Sequence, residues 1–177
     1  MNNYKLSHIK RCARAAGLTF EDIIIASCKH YEMQGEALIE KTPEPMKPIR
    51  RLDNGKFVAV YTKSAQPDFK GTLDGGKAIV FDAKHTDTDI IKRSAVSNEQ
   101  SRVLTIHHLL GAKCYILVSF GFEKFYMIPW KIFDCMDICL GRKHIKKTDS
   151  ILSEYEIRYV GGMLWFLEQE QAREMKW

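Results

Sequence analysis

The sequence predicts an α/β fold in which a mixed β-sheet is flanked by helices. Apolar residues recur at helical spacing after Thr19 and after Ser97, and again over residues 163–174. Between these segments lie runs of β-type residues, at 77–84, 114–120 and 122–130. The 177 residues contain no repeat and no low-complexity tract, so we expect a single domain.

The composition is that of an ordinary soluble globular protein, with 28% charged residues and a net charge of +5. This mildly basic balance suits a polyanionic partner. The cysteines are odd in number and form no Cys-x-x-Cys pair, which indicates reduced thiols and neither a disulfide framework nor a zinc site. No apolar run is long enough to span a membrane and no signal peptide opens the chain, so we expect a cytoplasmic protein without a membrane partner.

The first well-defined helix is predicted to open at Thr19, with acidic residues in its first turn. Its buried face is predicted to contain Ile24, Ile25, Cys28 and Tyr31. Glu21 borders this face and has two interpretations. It is either a first-turn acid that interacts with the helix dipole, or a carboxylate that reaches a metal from the side opposite the hairpin described below.

Residues 42–51 contain three prolines and cannot form a helix. Arg50 and Arg51 follow them, and Asn54-Gly55 is a strong hairpin-turn signal before the alternating residues 56–63. The segment therefore predicts an extended basic ribbon that need not belong to the core.

Residues 66–86 predict a second hairpin, which is the part of the chain that carries chemistry. Asp74-Gly75-Gly76 suits a loop that needs positive φ angles. With a three-residue loop Leu73 faces Lys77, and Asp68 then faces Asp82. Side chains alternate along a strand, so Lys84 shares the face of Asp82. Opposed carboxylates are unfavourable without a cation between them, and a hard divalent ion with oxygen ligands, Mg²⁺ above all, is the natural occupant.

The segment after this hairpin predicts a capped helix followed by buried strands. Ser97 to Gln100 form a capping box, and Val103, Ile106, Leu109 and Leu110 are predicted as the inner stripe of the helix. Residues 114–120 and 122–130 then predict strands. Residues 141–147 form a basic loop without an acid, either a solvated surface or a phosphate contact. A final helix is predicted over 163–174, with Met163, Leu164, Phe166 and Leu167 turned inward.

The spacing of Pro67-Asp68 and Asp82-Ala83-Lys84 resembles the PD-(D/E)xK nuclease signature. The alternative is a solvated hairpin whose charges face water. More of the chain resembles the RecU family of Holliday junction resolvases, found in Gram-positive bacteria and their phages. The similarity runs from about Gly17 to Leu167, and six stretches carry it: residues 17–21, 48–51, 68–71, 81–86, Gln100 and 141–147. One departure is Asp82, where the family usually has a glutamate.

This resemblance implies a restriction-endonuclease-like core and a homodimer with two active sites. It also implies a stalk over about residues 42–65, which enters the centre of a four-way DNA junction. Asp68, Asp82, the Ala83 carbonyl and Glu21 would hold Mg²⁺, with Mn²⁺ expected to substitute. Lys84 and Gln100 would complete the catalytic set by positioning water or phosphate. The residues expected to bind DNA are Arg50, Arg51, Lys63, Lys70, Arg142, Lys143, Lys146 and Lys147. Recombination proteins are expected as further partners.

Two other functions remain open at this point. One is a different PD-(D/E)xK enzyme that cuts ordinary duplex DNA, although linear duplex offers a projecting basic ribbon nothing to enter. The other is a protein that binds junctions without cutting them.

Overall fold

A computed structural model describes residues 19–61 and 66–168. In chain order its helices and strands are α1 (Phe20–Gln34), β1 (Ala37–Lys41), β2 (Met46–Arg51), β3 (Phe57–Tyr61), β4 (Phe69–Leu73), β5 (Ala78–Thr86), β6 (Ile90–Lys92), α2 (Asn98–Leu109), β7 (Lys113–Phe120), β8 (Lys124–Pro129), α3 (Trp130–Asp134), α4 (Met136–Leu140), β9 (His144–Lys146), β10 (Glu156–Ile157), β11 (Tyr159–Val160) and β12 (Met163–Leu164).

The main sheet has six strands in the order β1-β4-β5-β7-β8-β10. The β5–β7 pair is parallel, and the other neighbouring pairs are antiparallel. A parallel pair needs a crossover connection, which here contains β6 and α2. The predicted α/β architecture, a mixed sheet flanked by helices, is confirmed.

Apolar residues on the two faces of β5 belong to two separate cores. Ile79 and Phe81 pack in the core beneath α1, whereas Val80 packs in the core that contains Leu104 of α2 and Trp130 of α3. The alternation predicted for this strand is therefore confirmed. It places Asp82 and Lys84 on the α2 side of the sheet.

The predicted inner stripe of α2 was wrong. Leu104 is the buried residue of this helix, whereas Ile106, Leu109 and Leu110 are 42%, 78% and 81% exposed. The sheet-facing side of α2 is defined by Gln100 and Leu104, four residues apart, because the amide of Gln100 bonds to Asp82 in the sheet. A polar residue thus marks the inner face.

The segment before β4 forms the predicted hairpin. β2 and β3 pair antiparallel as a separate two-stranded sheet, with Arg51 opposite Phe57 and Arg50 opposite Val58. Asn54 has a φ of 65° in the connecting turn. All six residues of β2 are exposed. Lys63 lies outside the described residues.

The final helix begins later than predicted. Met163 and Leu164 form β12, which pairs with β11, and helical backbone begins at 166. Leu164, Phe166 and Leu167 are buried as predicted, but the predicted helix beyond 168 lies outside the described residues. No helix within 19–61 and 66–168 has the length and apolar character needed to cross a bilayer.

Candidate active site

The β4–β5 hairpin has the register that a three-residue loop requires. Leu73 N–H donates to the carbonyl of Lys77 at 2.8 Å across the Asp74–Gly76 turn, where both glycines have positive φ. Phe69 pairs with Phe81, so continuing this register by one residue sets Asp68 opposite Asp82. Asp68 Oδ2 accepts a 2.8 Å hydrogen bond from Ala83 N–H, which holds its carboxylate at the end of the hairpin.

Asp82 is a buried carboxylate, with a side chain 0% exposed. Its Oδ1 accepts a 2.7 Å hydrogen bond from Gln100 Nε2, and its Oδ2 lies 2.6 Å from Lys84 Nζ. Even so, Oδ2 has no partner in hydrogen-bonding geometry among the described residues. The pKa of Asp82 is raised to about 7, chiefly by burial; the Lys84 ammonium acts in the opposite direction, and the nearby charge of Asp68 contributes to the increase.

Gln100 connects the first turn of α2 to this carboxylate. Its side-chain Oε1 accepts from Ser97 N–H at 3.1 Å, while its own backbone N–H donates to Ser97 Oγ at 3.2 Å. This capping box fixes the amide with its Nε2 toward Asp82. The sequence-predicted residues Asp68, Asp82, Ala83, Lys84 and Gln100 thus lie together.

Glu21 lies on the α1 side of the sheet and is paired with Lys41. Lys41 Nζ contacts Glu21 Oε2, and Glu21 raises the pKa of Lys41, with a smaller contribution from Asp68. Glu21 and Ala83 line one cavity of about 340 Å³. Sequence reasoning missed Lys41. The sequence signal that would place Lys41 at the site is weak, because Lys41 is the last residue of a short edge strand that lies far from Asp68 in the chain.

A glycine allows β1 to lie close to the site. A Cβ added to Gly71 in β4 would stand 2.1 Å from the carbonyl oxygen of Leu38 in β1. This close approach carries Lys41 opposite Phe69, and Thr42 N–H donates to the carbonyl of Asp68 at 2.7 Å. The β2–β3 hairpin therefore leaves the core directly beside Asp68.

The oxygen donors present suit a hard divalent cation. Two carboxylates, Asp68 and Asp82, meet at the end of one hairpin, and Asp82 Oδ2 is buried without an oriented hydrogen-bond donor. A cation there would offset the cost of burying the charged form. Within the described ranges no three acidic, His or Cys side chains converge on one point, so Glu21 does not join the two aspartates in this arrangement.

The predicted DNA-binding residues of the 141–147 loop fall into two groups. Arg142 pairs with Asp149 and Lys147 with Glu123, so both are held by carboxylates of this chain. Lys143 and Lys146 are exposed.

The other predicted DNA-binding residues lie outside this loop. Arg50 and Arg51 are exposed on β2. Lys70 Nζ donates to Gln66 Oε1 at 2.6 Å, and because Lys70 pairs with Val80 it shares the sheet face of Asp82.

A family model described as recombination protein U, RecU, matches residues 15–168. The chain belongs to the RecU family. Holliday junction resolvase RecU of Streptococcus equi subsp. zooepidemicus strain MGCS10565 is 27% identical over 138 residues, which cover 72% of this chain and 66% of that protein. The corresponding Streptococcus uberis protein is 26% identical over 153 residues, covering 80% and 73%.

The chain thus spans slightly less than two thirds of the Streptococcus equi relative. A solved structure of Archaeoglobus fulgidus Hjc, a Holliday junction resolvase from an archaeal hyperthermophile, is also similar. It has a TM-score of 0.40 and 15% identity, with 71% of this chain and 84% of that chain covered.

Proposed function

We propose that this RecU-family chain is an endodeoxyribonuclease that resolves four-way DNA junctions by Mg²⁺-dependent phosphodiester hydrolysis, with Mn²⁺ able to substitute. The observation that carries the proposal is the meeting of Asp68, Asp82 and Lys84 at one end of the β4–β5 hairpin, with Gln100 on Asp82. The Streptococcus relatives carry the name Holliday junction resolvase, which supports a branched DNA substrate.

Each side chain of the site has a distinct task in this proposal. Asp68, Asp82 and the Ala83 carbonyl would hold the cation, with Glu21 as an additional ligand if it separates from Lys41. A cation bound there supplies electrostatic stabilisation of the scissile phosphate and lowers the pKa of the attacking water. Gln100 keeps Asp82 Oδ1 oriented by its 2.7 Å hydrogen bond, so the carboxylate presents Oδ2 toward Lys84.

Lys84 is the group that meets the substrate in this arrangement. Its ammonium lies 2.6 Å from Asp82 Oδ2, and its side chain is 21% exposed, so the Nζ protons lie at the boundary between the buried carboxylate and the open cleft. From there Lys84 donates a hydrogen bond to the attacking water or to a non-bridging phosphate oxygen. It thereby balances the negative charge that develops at phosphorus.

Junction selectivity is assigned to the β2–β3 hairpin, the stalk of the sequence prediction over about residues 42–65. Arg50 and Arg51 lie on this exposed ribbon, which starts beside Asp68. Phosphates of all four arms surround the open centre of a junction, so a basic ribbon gains contacts there that linear duplex does not offer. Backbone contacts of this kind give affinity without reading base sequence.

We also propose that the active form is a homodimer, because paired symmetric cuts require two sites related by a two-fold axis. The exposed apolar side chains Ile106, Leu109 and Leu110 of α2 provide a surface that a second copy would cover. Replacing Leu109 and Leu110 by aspartate should yield a folded monomer in sedimentation, with unpaired nicking. A double variant that remains dimeric would exclude this surface.

Family membership further supports a cytoplasmic role with recombination proteins as partners.

The decisive experiment is incubation with a four-way junction and matched linear duplex, with Mg²⁺, with Mn²⁺ and with EDTA. Wild type should cut the junction in pairs of symmetric positions only when a metal is present. Asp82→Asn should stop cutting while junction binding survives or tightens, because the change removes a negative charge near the phosphate. Equal cutting of linear duplex would support a duplex nuclease instead. Tight junction binding without cutting would support a non-cutting protein.

A further inference from the structure

An open cavity of about 440 Å³ adjoins Lys84 and is lined by the end of β5 and by β6. Its polar lining comes from Lys84, Thr86, Thr88, Lys92 and Ser94, together with His85. Within residues 19–61 and 66–168, no aspartate or glutamate contributes to this lining. Asp82 balances the Lys84 ammonium at 2.6 Å, so Lys92 supplies the net positive charge of this groove, and positive charge attracts anions.

Lys92 is the cation of this groove that sequence reasoning did not identify. It is exposed at the end of β6, and it makes no ion pair with a carboxylate of residues 19–61 or 66–168. Its neighbour Arg93 is different, because Arg93 bonds to Asp134 Oδ1 at 2.5 Å and to Ser101 Oγ at 3.0 Å, and lies 5.0 Å from the Trp130 ring centre. Arg93 therefore anchors the backbone that carries Lys92.

A second cavity of about 510 Å³ is a neighbour of this groove, since Lys92 and Ser94 line both. Lys143 of the basic loop lines the second cavity, and Arg93 N–H donates to the Lys143 carbonyl at 3.0 Å. The β6–β9 ladder sets Lys92 opposite His144 and so fixes this loop against the groove. Two acidic residues line the second cavity. Asp134 forms an ion pair with Arg93, which leaves Asp137 as the acid that opposes the lysines.

We propose that Lys84, Lys92 and Lys143 form one track that binds successive backbone phosphates of the DNA strand as it leaves the active site. The inference rests on the proposed nuclease function and adds the path of the strand. An elongated anion fits better than an isolated one because the two neighbouring cavities are lined by Lys84 at one end, by Lys92 in both, and by the exposed Lys143 at the other. The contacts are to phosphate, so this track contributes affinity equally on all sequences.

The test measures DNA binding in EDTA, where nothing is cut, by fluorescence anisotropy of a labelled junction at roughly 50 to 200 mM salt. Lys92→Gln should weaken binding several-fold and reduce the slope of log K against log salt by about one unit, and Lys92→Gln with Lys143→Gln by about two. The matched control is Lys29→Gln, an exposed lysine on α1 across the sheet, which should leave the slope unchanged. An unchanged slope in Lys92→Gln would overturn the proposal.

A second arm identifies the phosphate. Each test junction carries one uncharged methylphosphonate in place of a phosphate near the cleavage position. At one of these positions the replacement should weaken binding by the wild-type protein. That same substitution should cost Lys92→Gln nothing further, because the contact is already lost. Losses of affinity that add to the Lys92→Gln loss at every position would contradict a direct contact. If a free mononucleotide by itself displaced the junction, the groove would be a small-anion site and not a track. Binding that depends on Lys92 in a protein that never cuts would leave the track intact and refute only the nuclease proposal.

Discussion

Gln100 Nε2 donates a 2.7 Å hydrogen bond to Asp82 Oδ1, so an α2 residue holds the buried carboxylate of the sheet. The same side chain accepts from Ser97 N–H and closes the helix cap. One amide therefore has a structural task and a positioning task, and the two tasks can be separated by mutation.

Gln100→Ala should lower the cleavage rate at least about tenfold, since Asp82 Oδ1 loses the 2.7 Å hydrogen bond that orients it. Ser97→Ala is the matched control, because it removes the hydroxyl that caps the helix and keeps the amide on Asp82. It should lower the free energy of unfolding by about 1 kcal/mol and leave kcat nearly unchanged. Single-turnover cleavage and urea unfolding would be measured for both. A similar kcat loss in both variants would assign Gln100 a purely structural role.

The metal-free protein should lose stability as the pH rises toward neutrality. Burial raises the pKa of Asp82 to about 7, above its ordinary value of about 3.9 in the unfolded chain. Between these values the folded state binds more protons than the unfolded state, so the stability that Asp82 contributes is present below about pH 4 and is lost as the pH rises to about 7. Melting temperatures in EDTA should therefore decrease from about pH 5.5 to about pH 8.

Asp82→Asn is the comparison for this trend, because histidines also titrate in the same interval. The melting temperature of the variant in EDTA should decrease distinctly less with rising pH than that of wild type. Adding Mg²⁺ at about pH 8 should restore the melting temperature of wild type and not of the variant. Parallel pH curves for the two proteins would show that Asp82 does not carry the effect.

Lys41 and Glu21 should affect metal dependence in opposite directions. Lys41 holds the Glu21 carboxylate and lies near Asp68, so its ammonium competes with a cation for both. Lys41→Met should lower the Mg²⁺ concentration needed for half-maximal cleavage, and Glu21→Gln should raise it. Both side chains are about 40% exposed, so the stability change should stay below about 1 kcal/mol.

Glu32→Gln serves as the control for this pair, since it removes an exposed carboxylate farther along α1. Its metal requirement should equal that of wild type. A Glu21→Gln protein with an unchanged Mg²⁺ requirement would remove Glu21 from the ligand set.

Replacing residues 44–62 by a short Gly/Ser linker should abolish junction preference while the site stays folded. The main-chain bond from Thr42 to Asp68 lies outside the replaced segment, and the β4–β5 pairing does not depend on it. The ratio of junction to duplex affinity should fall at least about tenfold, or ~1.4 kcal/mol. Arg50→Ala with Arg51→Ala should reproduce part of the loss and flatten the salt dependence on junctions more than on duplex. Full preference in a folded, dimeric deletion variant would place selectivity in the cleft.

Local pattern was enough to predict the β4–β5 hairpin that bears the candidate site. Asp74-Gly75-Gly76 dictates a three-residue loop, and loop length sets the register that opposes Asp68 and Asp82. The strict two-residue period of a strand then determines which side chains share a face. The predicted helix start at Thr19 and the predicted capping box at Ser97 likewise depend on residues no more than three apart in the chain.

Local pattern failed where a position depends on distant segments. The apolar stripe of α2 was assigned to the core because periodicity records spacing and not which side meets the sheet. The ion pairs that Arg142 and Lys147 form with Asp149 and Glu123 were not foreseen, and the prediction that both residues bind DNA stays a prediction. Lys92 was not identified from the sequence, because only the pairing of β6 with β9 sets the basic loop beside it.

The sequence by itself determined the α/β class, the hairpin register and the meeting of Asp68 with Asp82 at its end, because each follows from turn chemistry and strand alternation over short distances. Only the tertiary structure decided the rotation of α2, the Lys41–Glu21 contact beside Asp68, and the groove that runs from Lys84 past Lys92. These features arise where side chains far apart in the chain compete for the same space or charge. That competition is settled by packing and burial, which no local pattern records.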